Sequence, residues 1–252
     1  MEFKDLVKDA YYYEKTGMLL KGDCLDWMEK FPDGSVDMIL ADLPYGTTKC
    51  KWDTIIPFDK LWLQYERIIK KNGAIVLTSS QPFTSALVMS NPKMFKYSWI
   101  WNKAKAANFP QVKYAPLKVH EDVIVFSKEK HNYYPQMVKR GKERKKGGYS
   151  VKGEVAVMAG APAKMSDTYY PKSILDYSIE DNKGAGLHPT QKSVELFEYL
   201  IQTYTLENEI VLDNTAGSCT TAVASKNTNR KWICIEQDEK YCEVSKDRLK
   251  SE

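Results

Sequence analysis

The sequence predicts an α/β fold in which helices cover both faces of a mostly parallel sheet. Several apolar runs, rich in β-branched and aromatic residues, are typical of buried strands, and segments between some of them carry apolar residues at helical spacing. Strands that alternate with helices favour parallel pairing, because parallel neighbours need a long crossover connection. At 252 residues and 43% hydrophobic composition, the chain can form one such domain plus a small insertion.

The predicted elements follow one another along the chain. One helix is expected in "FDKLWLQYERIIKKNG", which begins at Phe58 and ends at Gly73, since Gly is common just after a helix. A second helix is expected in "SVELFEYLIQTYT", residues 193–205. The predicted strands are residues 36–41, 74–79, 97–101, 123–128, 209–213 and 232–236.

Residues 129–187 interrupt this alternation, because they are rich in Lys, Gly, Tyr and Pro. They contain 11 Lys/Arg and 7 Asp/Glu, a net charge of +4, which equals the net charge of the whole chain. We therefore expect one domain formed by residues 1–128 and 188–252, with residues 129–187 as an insertion.

The insertion contains a basic run, "KRGKERKK", at residues 139–146. An isolated run of this kind is typical of a solvated, charged loop. In a protein that holds a polyanion, the same run would contact phosphates. The cationic residues of the run are Lys139, Arg140, Lys142, Arg144, Lys145 and Lys146.

We expect a protein of the cytoplasm, because the sequence shows no targeting signal and its cysteines form no recognisable framework. The N-terminal stretch has neither the apolar core of a signal peptide nor a cleavage site, and no apolar run approaches the length of a membrane span. The five cysteines form no C-x-x-C pair and the three histidines are scattered. This pattern argues against a disulfide framework and against a bound metal such as zinc.

The stretch "DLPY", residues 42–45, places a carboxylate where an aliphatic strand is expected to end. Asp, Pro and Gly commonly close a strand, so an ordinary turn is one interpretation of Asp42. A ligand site is the other, because open parallel sheets bind ligands at the carboxyl ends of their strands.

A second strand end carries a turn of small residues, in "VLDNTAGSCTTAVASK". The strand is expected to end at Asp213, and a helix to begin at "TTAVASK". Small residues around Gly217 let the backbone approach a ligand, and the helix N-terminus offers free N–H groups. Glu236 ends another strand about 19 residues after Gly217, a spacing typical of an acid that accepts ribose hydroxyls. These features indicate a nucleoside cofactor, and NAD and S-adenosylmethionine both fit them.

Four motifs together resemble the β class of DNA methyltransferases that modify amino groups. They are "GDCLDWMEKFPDGSVDMILADLPYG", "HEDVIVFSK", "HPTQK" and "DNTAGSCTT", and they occur in the family's order, with the catalytic motif before the cofactor motif. The resemblance spans residues 18–248 except for most of 129–187. It implies the S-adenosylmethionine-dependent methyltransferase fold, S-adenosylmethionine as cofactor, DNA as substrate, and residues 129–187 as the target-recognition region.

Two motifs depart from the family's pattern. The usual D-P-P-Y appears with Leu43 in place of the first proline. The usual D-P-F-x-G-S-G-T-T appears with Asn214 and Thr215 in place of the Pro-Phe pair and with Cys219 in place of a glycine. The phenylalanine ring that would pack on the cofactor adenine is therefore missing, whereas Cys219 is small enough to preserve a close approach.

The resemblance implies roles for individual residues. Asp42 and the carbonyl of Leu43 would accept the hydrogens of the target amine, Pro44 would hold that carbonyl in place, and Tyr45 would stack on the flipped base. Lys103, in "WIWNK", would lie near the DNA target pocket. The implied cofactor-binding residues are Asp23, His188, Pro189, Thr190, Asp213, Asn214, Ala216, Gly217, Ser218, Thr220, Thr221 and Glu236.

The leading hypothesis is site-specific methylation of adenine N6, because related cytosine N4 enzymes usually carry serine where Asp42 stands. Cytosine N4 methylation is the nearest alternative. A nicotinamide oxidoreductase would explain the glycine turn and Glu236 but neither "DLPY" nor "HPTQK". A non-catalytic DNA-binding module would not need an intact Asp42. The resemblance is consistent with a homodimer, and the sequence identifies neither a recognition sequence nor a partner endonuclease.

Overall fold

The computed structural model describes residues 3–47, 53–106, 108–146, 164–178 and 192–251. The chain forms an α/β unit from Met1–Tyr134 and Ser173–Glu252, and a smaller unit from Pro135–Lys172. The smaller unit is narrower than the predicted insertion, because a strand at residues 174–176 joins the main sheet. Within the described ranges, no helix is long and apolar enough to cross a membrane.

The helices and strands that follow are numbered in chain order. The strands are β1 (Tyr12–Glu14), β2 (Gly17–Lys21), β3 (Val36–Asp42), β4 (Ile69–Ser79), β5 (Phe95–Asn102), β6 (His120–Phe126), β7 (Val138–Lys146), β8 (Lys164–Tyr169), β9 (Ile174–Asp176), β10 (Ile210–Asp213) and β11 (Lys231–Glu236). The α-helices are α1 (Phe3–Leu6), α2 (Cys24–Glu29), α3 (Phe58–Ile68), α4 (Phe83–Ser90), α5 (Val194–Tyr204), α6 (Thr220–Asn227) and α7 (Glu239–Ser251).

In the described part of the chain, nine strands form one sheet, in the order β1-β2-β11-β10-β3-β4-β6-β5-β9. β2, β11, β10, β3 and β4 are parallel to one another, and β1 is antiparallel to β2. β6 is antiparallel to β4, and β5 is antiparallel to β6. The predicted α/β class with a mostly parallel sheet is therefore confirmed.

The two faces of the sheet are covered by different helices. In β3, Ile39 and Ala41 pack in a cluster that includes residues of α2, α3 and α4, whereas Met38 and Leu40 pack in a cluster with residues of α5. Successive residues of a strand point to opposite faces, so a strand buried on both faces needs an uninterrupted apolar run. This is the physical reason for the "VDMILA" run.

The predicted helix at residues 58–73 is too long, because α3 ends at Ile68 and β4 begins at Ile69. Gly73 therefore lies within a strand and does not follow a helix. A Cβ atom at this position would lie 2.7 Å from the carbonyl oxygen of Asp37 on the neighbouring strand. The close approach of two strands, which the sequence alone does not show, explains this glycine.

The order of the strands creates a crevice at the centre of the sheet. The chain continues from β3 to β4 on one side, and from β10 to β11 on the other, while β3 and β10 are neighbours. Open α/β sheets bind ligands outside the carboxyl ends of the strands at such a switch in strand order. Asp42 and Asp213 are the last residues of these two central strands.

In the smaller unit, β7 and β8 form an antiparallel hairpin. The basic run at residues 139–146 lies in β7, so it is a strand and not the loop that its composition suggests. The Arg140 guanidinium lies 5.0 Å from the ring centre of Tyr169, and its Nε–H donates to the carbonyl of Thr168 at 3.3 Å. β8 pairs with both ends of β7, and the register shifts between Lys139 and Arg144. Lys139, Lys142 and Arg144 are exposed.

Candidate active site

A cavity of about 1000 Å³ lies at the carboxyl ends of β3, β10 and β11. Its volume is at the upper end of the range typical of small-molecule and cofactor sites. The residues that line it include most of the residues to which the sequence assigns a role, from segments far apart in the chain. These lining residues are Asp23, Asp42, Leu43, Pro44, Tyr45, Lys103, Asp213, Asn214, Ala216, Gly217, Ser218, Thr220 and Glu236.

Of the remaining predicted cofactor residues, the structure describes only Thr221, which does not line this cavity. Thr221 is buried behind the cavity wall, where its hydroxyl donates to Oδ2 of Asp213 at 2.5 Å. His188, Pro189 and Thr190 lie outside the described residues. Thr221 therefore acts on the site through Asp213.

Asp42 is held in the cavity wall by contacts from three other segments. Its Oδ1 accepts hydrogen bonds from the hydroxyls of Tyr45, at 2.8 Å, and Thr78, at 2.5 Å. Its Oδ2 lies 3.1 Å from Nζ of Lys192. Its main-chain carbonyl accepts from the hydroxyl of Thr215, at 3.0 Å, in the turn after β10. The end of β3 is thus connected directly to the predicted cofactor turn.

Lys192 belongs to a chain of alternating charges beside the cavity. Its Nζ bridges Asp42 and Oε2 of Glu121, at 3.1 Å each. Oε1 of Glu121 in turn accepts from Nζ of Lys103 at 2.7 Å. Lys103 is only 6% exposed, so its ammonium lies in this network and not on the outer surface where a DNA phosphate is easily reached.

The network keeps Glu121 and Lys192 charged. Burial alone would raise the pKa of Glu121, but the ammonium groups of Lys192 and Lys103 outweigh burial and lower it. Burial would likewise lower the pKa of Lys192, but the carboxylates of Asp42 and Glu121 raise it above its ordinary value. The partners compensate one another's loss of hydration, so ionised groups persist beside a mostly apolar core.

Tyr45 forms a wall between Asp42 and the apolar core. Its ring stacks on Phe83, with ring centres 5.1 Å apart and an interplanar angle of 27°. Burial and the nearby carboxylate of Asp42 raise its pKa well above the ordinary tyrosine value, so the hydroxyl stays protonated and donates to Asp42. The motif therefore supplies an orienting hydroxyl in addition to the aromatic ring that the sequence predicts.

Asp213 ends β10 on the opposite side of the crevice and is buried. Burial raises its pKa to about 7, although hydrogen bonds from the Thr221 hydroxyl and the Thr215 N–H act against this shift. The Thr215 N–H donates to Oδ1 at 3.1 Å. A carboxyl group with this pKa changes charge near neutral pH, so the electrostatic potential of the cavity changes in that range.

The turn after β10 has the backbone conformation that its small residues allow. Gly217 has a φ of +51°. Cys219 precedes α6 with φ of 56° and ψ of 40°, a left-handed conformation that favours glycine. This explains why a glycine is usual at this position of the motif. Cys219 keeps the conformation, and its side chain is fully buried among apolar neighbours.

Glu236 fixes the same turn from the end of β11. Its Oε2 accepts from the N–H of Gly217 and its Oε1 from the N–H of Asp238, both at 2.8 Å. A carboxylate oxygen accepts about two hydrogen bonds, so each oxygen has capacity for one hydroxyl of a ribose. In the turn after β2, the strand next to β11, Asp23 caps α2 through a 2.7 Å hydrogen bond from the N–H of Leu25. These donors and acceptors fit a nucleoside cofactor.

Sequence reasoning missed three polar residues around Asp42. Lys192 lies in "HPTQK" and Glu121 in "HED", so both motifs were recognised while these members were given no role. Thr78 lies on β4 directly opposite Asp42 in the parallel register. Charged residues next to apolar runs were the available signal, but which carboxylate each lysine pairs with depends on the folded sheet.

Comparison with known proteins identifies the family. A family model described as DNA methylase (N6_N4_Mtase) matches residues 36–247. This range contains Asp42 at the end of β3, the buried charge network and the turn after β10. The chain belongs to this DNA methylase family. As a methylase of this family, it is a site-specific DNA methyltransferase that uses S-adenosylmethionine, which sets aside the oxidoreductase alternative.

Two curated relatives align with the methylase over almost its whole length. It is 27% identical to the Type II methyltransferase M2.LlaDCHI of Lactococcus lactis subsp. cremoris over 277 residues, which cover 97% of this chain and 93% of the relative. It is 28% identical to the Type II methyltransferase M.HinfI of Haemophilus influenzae over 259 residues, which cover 92% of this chain and 68% of the relative.

Solved structures share the fold of the methylase. The M1.HpyAVI complex with S-adenosylmethionine aligns with a TM-score of 0.63 and 24% identity, covering 92% of this chain and 100% of that chain. The PvuII DNA methyltransferase, described as cytosine-N4-specific, aligns with a TM-score of 0.68 and 18% identity, covering 96% of this chain and 89% of that chain. At this identity the likeness concerns the fold.

Proposed function

We propose that the methylase transfers a methyl group to the N6 amine of an adenine that has left the DNA duplex, with Asp42 as the acceptor that aligns this amine. One observation carries the proposal: the Asp42 carboxylate lies in the cavity wall, and its carbonyl is hydrogen-bonded to Thr215 of the cofactor turn. Groups that must meet during methyl transfer are thus adjacent.

The chemistry explains why an acceptor is needed. The lone pair of an exocyclic amine is delocalised into the base, so the amine is a poor nucleophile. Acceptance of one amine hydrogen by Asp42, and of the other by the carbonyl of Leu43, draws the nitrogen towards tetrahedral geometry. Positive charge develops on the nitrogen during transfer, so these acceptors stabilise the transition state more than the ground state.

The contacts of Asp42 favour Oδ2 as the atom that accepts the amine hydrogen. Oδ1 already accepts from two hydroxyls, those of Tyr45 and Thr78, which uses the capacity of one carboxylate oxygen. Oδ2 faces Lys192 and has capacity for a further donor. The hydroxyls hold the carboxylate in one orientation before the base arrives, so little reorganisation accompanies the reaction.

S-adenosylmethionine, when bound, supplies the methyl group. We propose that Glu236 accepts hydrogen bonds from its ribose hydroxyls and that the Gly217 turn approaches its methionine portion. Asp23 would face its adenine. The cavity supports this assignment, because Asp23, Glu236 and the turn line it together with Asp42.

The preference for adenine rests on the acid in the catalytic motif, since related cytosine N4 enzymes usually carry serine there. To test it, the gene is expressed in a host that lacks DNA methylation, and the host DNA is digested to nucleosides and analysed by mass spectrometry. We expect N6-methyladenine. N4-methylcytosine would contradict the assignment of adenine as the substrate. The role of Asp42 would then be tested separately.

A further inference from the structure

The connection between β5 and β6 is a closed loop beside the active-site cavity. It consists of residues 103–119 and is called here the 103–119 loop. The N–H of its first residue, Lys103, donates to the carbonyl of its last, Val119, at 2.8 Å. The side-chain oxygen of Asn108 accepts from the N–H of Lys118 at 2.7 Å. Asn108 and Lys118 also line the cavity. The described part of the loop, residues 103–106 and 108–119, is therefore held by hydrogen bonds at the edge of the cavity.

Large apolar side chains point from this loop into solvent. Tyr114 is 89% exposed and Phe109 is 62% exposed, and Val112 and Leu117 are exposed as well. Single exposed apolar residues are common in proteins, whereas four within residues 109–117 are a concentration typical of interaction sites. Two of the four are aromatic.

The charge of the loop indicates the class of partner. Lys105, Lys113 and Lys118 lie in it, and the range 103–119 contains no Asp or Glu. Lys118 donates to the Ser80 hydroxyl at the cavity, so one of these cations lies at the inner edge of the loop. A surface that combines cations with exposed aromatic rings fits a polyanion with stacked rings, which is DNA.

We infer that the 103–119 loop docks on the duplex at the target site, where Tyr114 and Phe109 fill the space that the flipped base leaves in the stack. Removal of a base from a duplex costs stacking and pairing energy, and apolar or aromatic side chains inserted between bases offset such a cost. Because the loop borders the cavity that holds Asp42, a base entering the cavity leaves its gap close to the loop.

This inference rests on the proposed function only in requiring that the target base leave the duplex. The identity of that base does not affect it. A role of the 103–119 loop in filling the gap differs from phosphate binding by the hairpin of β7 and β8. Only the former predicts that the effect of a substitution on the rate depends on how tightly the target base is paired.

The test compares two DNA duplexes that carry the sequence methylated by the full chain. In one the target base is correctly paired, and in the other it lies opposite a mismatched base, which lowers the cost of flipping. For the double variant Phe109→Ala/Tyr114→Ala, we expect kcat/KM on the paired duplex to fall by at least about tenfold, a size typical of lost aromatic stacking on bases. On the mismatched duplex, kcat/KM should stay within about twofold of the wild type.

The controls separate this role from a general loss of structure. Tyr13→Ala removes a tyrosine that is 52% exposed on β1, and it should leave both rates unchanged. The variant Tyr114→Trp keeps an aromatic ring and should retain activity on the paired duplex. An equal loss on both duplexes, or no loss on the paired duplex, would overturn the inference. N4-methylcytosine as the product would contradict the adenine assignment without affecting this comparison.

Discussion

Asp42 shows how the role of one residue depends on its neighbours. The sequence places it at a strand end beside Pro44 and Tyr45. The structure adds two hydroxyls on one carboxylate oxygen and the buried ammonium of Lys192 at the other. Asp42 is therefore both the proposed acceptor for the target amine and one of the carboxylates that compensate a buried cation. Substitutions at this position should affect catalysis and stability together.

Replacement of Asp42 by Ala is expected to lower methyl transfer by at least about 100-fold, the size seen when one preorganised transition-state hydrogen bond is removed. The free energy of unfolding should also fall, by roughly 1–3 kcal/mol, because Lys192 loses a partner. Single-turnover rates and urea unfolding measure the two effects. Asp42→Asn is the matched control, since it keeps the shape and an acceptor oxygen but removes the charge. Near-normal turnover of Asp42→Ala would contradict the mechanism.

Asp213 provides a prediction about pH. Burial raises its pKa to about 7 from its ordinary value of 3.8, so the folded state binds this proton more tightly than the unfolded state. Its contribution to stability is full below the unfolded pKa and is lost as pH rises through about 7. As pH rises from about 4 to 7, the free energy of unfolding should therefore fall less for Asp213→Asn than for the wild type. The difference between the two falls should be up to a few kcal/mol.

Urea unfolding of the cofactor-free protein at several pH values measures this difference. Asp247→Asn, which changes an exposed residue of α7, should follow the wild type. If the curves of wild type and Asp213→Asn run parallel across this range, the Asp213 carboxyl is already ionised in the folded protein at low pH.

At the scale of elements, the hairpin of β7 and β8 changes the interpretation of the basic run. The run lies in a strand that pairs with β8, whereas its composition suggests a solvated loop. Arg140 is engaged within the hairpin by Tyr169 and Thr168, while Lys139, Lys142 and Arg144 lie in the same strand. These three are the better candidates for phosphate contacts.

Neutralisation of Lys139, Lys142 and Arg144 to Gln is expected to weaken binding to DNA of any sequence. The slope of log affinity against log salt concentration should decrease by about one for each lost phosphate contact. Titration of labelled duplex at several salt concentrations gives the slope. The matched control neutralises three exposed lysines outside the hairpin, Lys60, Lys71 and Lys250. An unchanged affinity and slope in the hairpin variant would assign the run to a solvated surface.

At the scale of the whole molecule, the active site depends on two halves of the sheet. The proposed catalytic acid, Asp42, ends β3, whereas the proposed cofactor turn follows β10 and is fixed by Glu236 at the end of β11. These strands are far apart in sequence, and their order in the sheet brings them together. Binding of a ligand in this crevice should therefore stabilise the folded state of the entire α/β unit.

S-adenosylmethionine should raise the midpoint of thermal unfolding, because it binds the folded state; at 100 times its Kd the gain is about 2.7 kcal/mol. Glu236→Ala is expected to weaken cofactor binding by about 1.5–3 kcal/mol through the loss of charged hydrogen bonds. Its midpoint should therefore rise less at the same cofactor concentration. Glu236→Gln, which keeps one acceptor oxygen, should be intermediate, and NADH should give no shift. An unchanged dissociation constant in Glu236→Ala would remove Glu236 from the cofactor site.

Local residue patterns are sufficient to predict the fold class, the approximate strands and the motifs at the strand ends. Apolar runs such as residues 36–41 report burial on both faces, and this signal is local, so it is readable without a structure. The position of Asp42 at a strand end follows from the same local pattern.

The tertiary structure alone decided which groups meet. Pairing between segments distant in the chain places Gly73 in a strand beside Asp37 and not after a helix. It also places the ammonium of Lys103 against Glu121 and not in solvent. The bridge from Lys192 to Asp42 joins residues 150 positions apart, from 42 to 192. Such contacts arise from sheet order and burial, which local patterns of residue type do not encode.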